Sequence, residues 1–325
     1  MIERSDFMRE SPEMDVDPIS DILSLTEART AVAGGFTIGG DWAIRFPAPG
    51  KVKFFAVEAG DCRLTLDGGA PPVAIRAGDI FLPSAAVGFT LSGGVGARPL
   101  DARALFADPS HEPVDLGGVG DCRIVGGHVH LHPVSGHLLA EILPPLIHVP
   151  GAAEAAAPMR LFLDRLLAEW DAGSPGAAIV RAQLAQLVFV HLIRAYLAEA
   201  EGPPRGILRA MGDPRLRQAL SLIHGDPARH WRLTELAGAA GMSRTNFALR
   251  FRDAAGIAPL AYLTQWRMRL ADRMLGDGEK RLAAIAAALG YASESAFSTA
   301  YKRVTGCSPS DRRRAAQREA IDADR

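Results

Sequence analysis

The sequence has only three cysteines among its 325 residues, Cys62, Cys122 and Cys307. None belongs to a Cys-x-x-Cys pair, and three thiols are too few for the disulfide framework of a small secreted domain. We therefore expect a protein of a reducing compartment. Cys62 and Cys122 are interpreted as small core residues, with a redox pair as the alternative.

Long uninterrupted apolar segments are also missing. The first twenty residues are polar and acidic and lack the apolar centre of a signal peptide. The most apolar later run, 182–198, is interrupted by Gln183, Gln186, His191 and Arg194. These features predict a soluble, cytoplasmic protein without a membrane partner.

The whole chain has almost no net charge, at −1, but its two parts differ. Residues 214–325 contain 19 Lys and Arg against 11 Asp and Glu, a formal charge of +8, which leaves −9 for residues 1–213. A basic C-terminal part favours contact with a polyanion, whereas the acidic part must serve another purpose.

The N-terminal part consists of short apolar runs separated by Gly, Pro and Asp. Turn signals such as Gly60-Asp61 and Gly78-Asp79 punctuate residues 17–150, a pattern typical of an antiparallel β-barrel or sandwich. Helical periodicity follows over 159–172 and 175–200. The apolar stripes of these helices are explained equally well by packing on the barrel or by pairing with a second subunit.

One supersecondary unit occurs twice in the basic part, over 233–259 and again, about 50 residues later, over 282–309. Each copy has the pattern of a helix, a glycine turn and a second amphipathic helix. The predicted core of the two helix-turn-helix motifs comprises Leu236, Gly241, Phe247 and Phe251 in the first copy and Ile285, Gly290, Phe297 and Tyr301 in the second.

The second helix of each copy has an outward face suited to the DNA major groove. Its residues are small, hydroxylated or cationic, so they can approach base edges, donate hydrogen bonds and neutralise phosphates. Ser243 and Ser293 are suited to cap these helices. The predicted DNA contacts are Arg244, Thr245, Ala248, Leu249 and Arg252 in the first copy and Ser295, Ser298, Thr299 and Lys302 in the second.

An ordinary helical bundle that binds only protein partners would show the same periodicity. The basic excess favours DNA instead, because it is confined to this part and its cations cluster around the two motifs. The basic residues that cluster around the motifs are Arg244, Arg250, Arg252, Lys302, Arg303, Arg312, Arg313 and Arg314.

Residues 214–314 resemble the two-motif DNA-binding domain of AraC-type transcriptional regulators, and GYASESAFSTAYKRVTGCSP is close to the signature of that family. Arg312 departs from the family, which often has an aromatic residue there. The resemblance implies two recognition helices joined by a long central helix, here 260–275, so that one subunit reads two adjacent major-groove segments of double-stranded DNA.

Residues 17–200 resemble the cupin-type sensor of one AraC branch, through Gly60–Leu64 and Gly78–Pro83. Metal-dependent cupins carry metal ligands where this chain has Phe54, Phe55, Gly88 and Phe89, so the usual metal site is absent. An apolar pocket for a small organic effector is expected instead. Its predicted lining is Phe55, Leu64, Phe81 and Phe89.

Three alternating histidines, His128, His130 and His132, offer a different site. On a strand they share one face, where they could bind zinc, nickel or copper. An exposed polar strand face is the commoner explanation of such alternation, and we expect no bound metal and no other cofactor.

The sequence therefore predicts a two-domain α+β protein: a tail at 1–16, a cupin-like antiparallel barrel at 17–150, sensor helices at 151–201, a linker at 202–213, an all-α double helix-turn-helix domain at 214–318 and a tail at 319–325. It indicates a sequence-specific transcription regulator without catalytic residues. A homodimer is expected, with RNA polymerase as a further candidate partner. A metal-dependent cupin enzyme and a ligand-independent helical interaction protein are the alternatives.

Overall fold

The computed structural model describes residues 17–48, 52–94, 96–107, 114–118, 122–131, 137–198, 206–276, 278 and 280–323. These form two compact units, a β-rich unit over Thr26–Gly212 and a helical unit that joins the N-terminal segment to Asp213–Arg325. The predicted tail at 1–16 and His132 lie outside the described residues.

The strands of the β-rich unit are short and closely spaced, as predicted. They are β1 (Arg29–Ile38), β2 (Trp42–Phe46), β3 (Val52–Ala59), β4 (Asp61–Leu66), β5 (Val73–Arg76), β6 (Ile80–Pro83), β7 (Phe89–Gly93), β8 (Leu100–Asp101), β9 (Val114–Asp115), β10 (Cys122–His130) and β11 (Leu146–Val149). Within the described residues they form one sheet in the order β11-β6-β3-β10-β1-β9 and a second in the order β5-β4-β7-β2-β8.

The two sheets enclose a common apolar core. Phe36 and Val57 reach it from the first sheet, and Leu64 and Leu91 reach it from the second. Most neighbouring strands are antiparallel, whereas β9 and β8 pair in parallel with β1 and β2. The double-sheet architecture confirms the predicted cupin-like fold class.

The turn before β6 is fixed by Asp79. Its carboxylate accepts hydrogen bonds from the backbone nitrogens of Arg76, at 2.9 Å, and Gly151, at 2.7 Å, and lies 2.8 Å from His148 Nε2. Burial alone would raise the pKa of this carboxyl, but the hydrogen bonds outweigh it and hold the pKa below its usual 3.8. The predicted turn Gly78-Asp79 therefore binds two parts of the unit together.

Helices of the β-rich unit are α2 (Ala102–Leu105), α3 (His137–Ile142), α4 (Ala157–Ala172), α5 (Ala177–Ala198) and α6 (Ile207–Gly212). The helix α5 packs on β1, where Thr30 donates from its backbone nitrogen to Gln186 Oε1 at 3.0 Å and from its hydroxyl to the Ala182 carbonyl at 2.9 Å. By length and composition α5 could cross a membrane, as can many core helices of soluble proteins.

The structure has helices at two of the predicted domain boundaries. The linker predicted over 202–213 contains α6, which is helical because Leu208 and Met211 supply apolar side chains that become buried. Residues 17–25, predicted as part of the barrel, form α1 (Pro18–Leu25) of the helical unit. Ile22 and Leu25 are buried there, since α1 packs against the first helix after Asp213.

The remaining helices are α7 (Pro214–Gly225), α8 (Leu233–Ala239), α9 (Arg244–Ala255), α10 (Pro259–Gly276), α11 (Leu282–Ala288), α12 (Glu294–Thr305) and α13 (Pro309–Ala323). Asp213 caps α7 by accepting hydrogen bonds from the nitrogens of Arg215 and Leu216, and Pro214 is the first helical residue. The duplicated motif is thus α8-α9 and α11-α12, joined by α10 as predicted.

Candidate nucleic-acid interface

The first helix-turn-helix motif is built around a fully buried aromatic pair. Phe247 and Phe251 lie on one side of α9, with ring centroids 5.8 Å apart, and Leu236 of α8 is equally buried. Gly241 supplies the turn with a φ of +62°, a conformation that costs little for glycine. The Ser243 hydroxyl accepts from the nitrogen of Asn246 and caps α9, as predicted.

The second motif repeats this construction. Phe297 and Tyr301 of α12 are fully buried with Ile285 of α11. The Ser293 hydroxyl accepts a hydrogen bond from the nitrogen of Ala296 at 3.1 Å. Tyr301 differs from its counterpart Phe251 in having a hydroxyl, which donates to Asp272 of α10 and so ties the motif to the central helix.

The opposite faces of α9 and α12 are open to solvent. Leu249 is 64% exposed although it is apolar, and the corresponding Thr299 is also exposed. Ala248 and Ser298 are half-buried at the edge of each face. The other predicted contacts are exposed: Arg244, Thr245, Arg252, Ser295 and Lys302. Each recognition helix therefore brings its predicted contacts together on one accessible surface.

The arginines near the motifs have different tasks. Arg250 Nε lies 2.6 Å from the Asp213 carboxylate, and Arg313 donates to the Lys280 carbonyl at 2.6 Å. Arg312 stands where the resembled family often has an aromatic residue. Its Nε lies 3.8 Å from the Asp272 carboxylate. These side chains hold helices together, so the basic cluster is only partly available to a polyanion.

Sequence reasoning missed Arg267, a buried cation on α10. Its guanidinium donates to the carbonyls of Pro227, Ala228 and Arg229 at 2.6, 3.2 and 2.9 Å. It also lies over the Tyr291 ring, 5.6 Å from the centroid. Arg267 thereby connects the loop that precedes the first motif with the turn of the second, which fixes the spacing of the two recognition helices.

Sequence reasoning also missed His224 on α7. Its ring stacks on Trp266 at a centroid distance of 3.9 Å, its Nε2 lies 2.6 Å from the Tyr262 hydroxyl, and its Nδ1 lies 3.1 Å from the Asp21 carboxylate. Burial lowers the pKa of His224 below its ordinary 6.5, although Asp21 acts in the opposite direction.

We expect this histidine to make the helical unit sensitive to acid. Because the pKa is lowered on folding, the unfolded chain binds a proton first, so stability falls as the pH drops through about 6.5. Amide hydrogen exchange in α7 and α10, corrected for intrinsic rates, should speed up between about pH 7.5 and about pH 5.5. His224→Gln should reduce this change, whereas the matched variant of exposed His230, His230→Gln, should not. Equal acid sensitivity in all three proteins would contradict the assignment.

The residues predicted to line an effector pocket lie in the core between the sheets. Phe81 and Phe89 are fully buried, Leu64 is almost so, and Phe55 stacks on Phe81 at 5.2 Å. A cavity of about 320 Å³ lies beside this aromatic group and includes Phe46, whose ring stacks on Phe89 at 4.7 Å. Phe55 and Phe89 therefore pack against Phe46 of the cavity wall, and none of the four predicted residues is among those that line this cavity.

Among the predicted histidines, His128 and His130 are adjacent on one face of β10, with their Nε2 atoms 2.8 Å apart. The third, His132, lies outside the described residues. Within the described residues, three or more His, Cys, Asp or Glu side chains do not gather as metal ligands. Of the three histidines of the metal alternative, the structure therefore describes His128 and His130.

Cys62 and Cys122 are both buried in the core of the β-rich unit. A hydrogen bond with Cys122, together with burial, raises the pKa of the Cys62 thiol, so this group stays protonated near neutral pH. The same hydrogen bond lowers the pKa of the Cys122 thiol. The burial of both side chains among the apolar residues of the core favours the core interpretation of the pair over the redox one.

Two family profiles match the chain in the same order as the two units. Residues 17–198 match a profile described as Cupin, and residues 236–315 match one described as Helix-turn-helix domain. Among solved structures, the DNA-binding domain of the global transcriptional factor AdpA in complex with a target DNA is similar to 33% of this chain and 96% of its own, with 29% identity and a TM-score of 0.31.

Similarity to curated proteins extends over both units. A putative AraC-like transcription regulator of Streptomyces antibioticus is 37% identical over 299 residues, which cover 92% of this chain and 99% of that protein. The HTH-type transcriptional regulator AlkR of Acinetobacter baylyi is 30% identical over 279 residues, or 83% of this chain and 90% of AlkR. These similarities, with a Cupin match over more than half of the sequence, show that the chain belongs to the AraC-type transcription regulators with an N-terminal cupin domain.

Proposed function

We propose that each subunit binds two adjacent major-groove segments of double-stranded DNA, one with α9 and one with α12. The observation that supports this most directly is the pair of solvent-facing surfaces on helices held by one central helix. With 18 residues, α10 spans about 27 Å. Successive major-groove faces lie about 34 Å apart, so the two helices suit neighbouring turns of one duplex.

The roles of individual contacts follow from their chemistry. Arg252 and Lys302 occupy corresponding positions and are suited to neutralise phosphates. Ala248, Leu249, Ser298 and Thr299 are small, apolar or hydroxylated, and such side chains read base edges and thymine methyl groups. Because the two sets differ, one subunit should recognise an asymmetric site.

The β-rich unit is proposed to bind a small effector and to form a homodimer. Exposed apolar side chains on its two long helices support the second role, since burying them in an interface would remove apolar surface from water. They are Leu161 on α4, at 66% exposure, and Ile179 and Leu187 on α5, at 70% and 42%. Regulation of this kind requires no catalysis and takes place in the cytoplasm, with RNA polymerase as a further candidate partner.

Lys302→Ala tests the phosphate contact. In the full-length protein this change should weaken binding to all duplex sequences and reduce the slope of log affinity against log salt by about 1, because one fewer counterion is released. Fluorescence anisotropy with a labelled duplex at several salt concentrations measures this slope. Arg63→Ala, at an exposed position on β4, is the control and should leave the slope unchanged.

The same titration tests the proposal as a whole. A helical interaction protein without affinity for nucleic acid would show no salt-dependent binding to duplex DNA, and that result would overturn the proposed function.

A further inference from the structure

The cavity beside the aromatic core has an unusual composition. It lies between the end of β2, the start of β3 and α2, and its volume of about 320 Å³ is at the lower end for small-molecule sites. Phe46, Ala102 and Phe106 provide apolar walls, whereas Lys53 and Arg103 provide cationic groups. The lining residues that the structure describes include no carboxylate.

The strand register places Lys53 on the inner face of the first sheet. Phe55 and Val57 follow at alternate positions of β3 and belong to the core between the sheets, so Lys53 shares their face. Lys53 pairs with His128 across the two strands. His128 lies on the same face of β10 as Gly126. This face is next to Phe55, because a Cβ added at Gly126 would lie 3.1 Å from the Phe55 ring.

The pairing of Lys53 with His128 favours an anion over a metal ion as the ligand at this end of the strands. Directly opposed residues on antiparallel strands have Cβ atoms about 5 Å apart, so Lys53 and His128 are neighbours on this face. A positive charge there opposes a metal cation and attracts an anion. Between the two imidazoles one Nε2 must donate and the other accept.

We propose that this cavity binds an amphipathic carboxylate. Lys53 and Arg103 hold the carboxylate, because the planar guanidinium group matches its two oxygens and the ammonium group adds charge. Phe46 and Phe106 contact the apolar body of the ligand, and their rings already stack at a centroid distance of 6.1 Å. The inference rests on the proposed function in that it names the chemical class of the effector.

Calorimetric titration of the full-length protein tests the inference with matched pairs of probes: decanoate against decanol, and phenylbutyrate against phenylbutanol. At least one carboxylate should bind about tenfold more tightly than its alcohol, because only the carboxylate meets both cations. Lys53→Met and Arg103→Met should each weaken that carboxylate about tenfold and leave the alcohol unchanged. Arg63→Met, on the outer face of β4, is the matched control and should bind as the parent protein does.

The inference is overturned if no carboxylate binds more tightly than its alcohol, or if Arg63→Met weakens binding as much as Lys53→Met. Duplex anisotropy on the same preparations separates the two proposals. Salt-dependent DNA binding without any preference for carboxylates removes only the effector class. A preference for carboxylates without DNA binding would retain the cavity assignment and remove the proposed function.

Discussion

Gly290→Ala should destabilise the helical unit by about 4 kcal/mol, whereas the corresponding change in the first motif, Gly241→Ala, should cost only about 1–2 kcal/mol. Gly290 has a φ of +76° and Gly241 a φ of +62°, so alanine at either position must adopt an unfavourable left-handed backbone conformation. Only at Gly290 would the new Cβ collide with other backbone, 1.9 Å from the Ala228 carbonyl oxygen. Around Gly241 an added Cβ would meet nothing within 4 Å.

The collision matters for function because Ala228 belongs to the loop that Arg267 holds against the central helix. Displacing this loop changes the position of the second motif relative to the first. Thermal unfolding and duplex affinity of both variants measure the two effects. Equal losses of stability in Gly241→Ala and Gly290→Ala would contradict this account. They would show that the Ala228 loop moves aside at little cost and that its close packing on Gly290 does not contribute to stability.

Thr299→Glu should lower the affinity for a specific duplex about 100-fold, or about 2.7 kcal/mol, with little effect on folding. Thr299 is exposed on α12, so the free protein can accommodate a carboxylate there. In the groove the same carboxylate would face phosphates and lose hydration. Leu249→Glu should have a comparable effect through α9, since Leu249 occupies the corresponding position.

Anisotropy measures these losses, and circular dichroism confirms that the variants fold. Thr299→Ser retains the hydroxyl group and is the matched control, for which we expect most of the affinity to remain. An unchanged affinity in both Thr299→Glu and Leu249→Glu would place the DNA on another surface.

Helical periodicity predicted the buried and exposed faces of α9 and α12 because both helices are amphipathic. The spacing of Phe247 and Phe251 determines which face of α9 is buried, and the opposite face follows without any knowledge of tertiary contacts. The second copy, predicted over 282–309, contains α11 (Leu282–Ala288) and α12 (Glu294–Thr305). Here the exposed face depends on a local pattern, which a sequence displays directly.

The parts that sequence reasoning missed depend on contacts between distant segments. Arg267 lies within a helical pattern, and nothing local shows that its guanidinium binds the carbonyl of Pro227. The packing of α1 depends on Asp21 and His224, which are 203 residues apart in the chain. Periodicity carries no information about such pairs.

The strands of the cupin-like unit were harder to interpret than the helices. Their inward and outward positions alternate, so one irregularity changes the face of every later residue. Such irregularities occur between Val32 and Gly34 and between Arg123 and Ile124. For this reason the inward positions of β1 and β10 could not be assigned from alternation alone.

Selection of binding sites from a random duplex pool tests the central claim most directly. The full-length protein should select an asymmetric site with two different elements about one helical turn apart. Ala248→Gln should alter the base preference of one element and Thr299→Gln that of the other, each leaving the second element unchanged. A single element, or a change of both elements by either substitution, would contradict the proposal that α9 and α12 read separate segments.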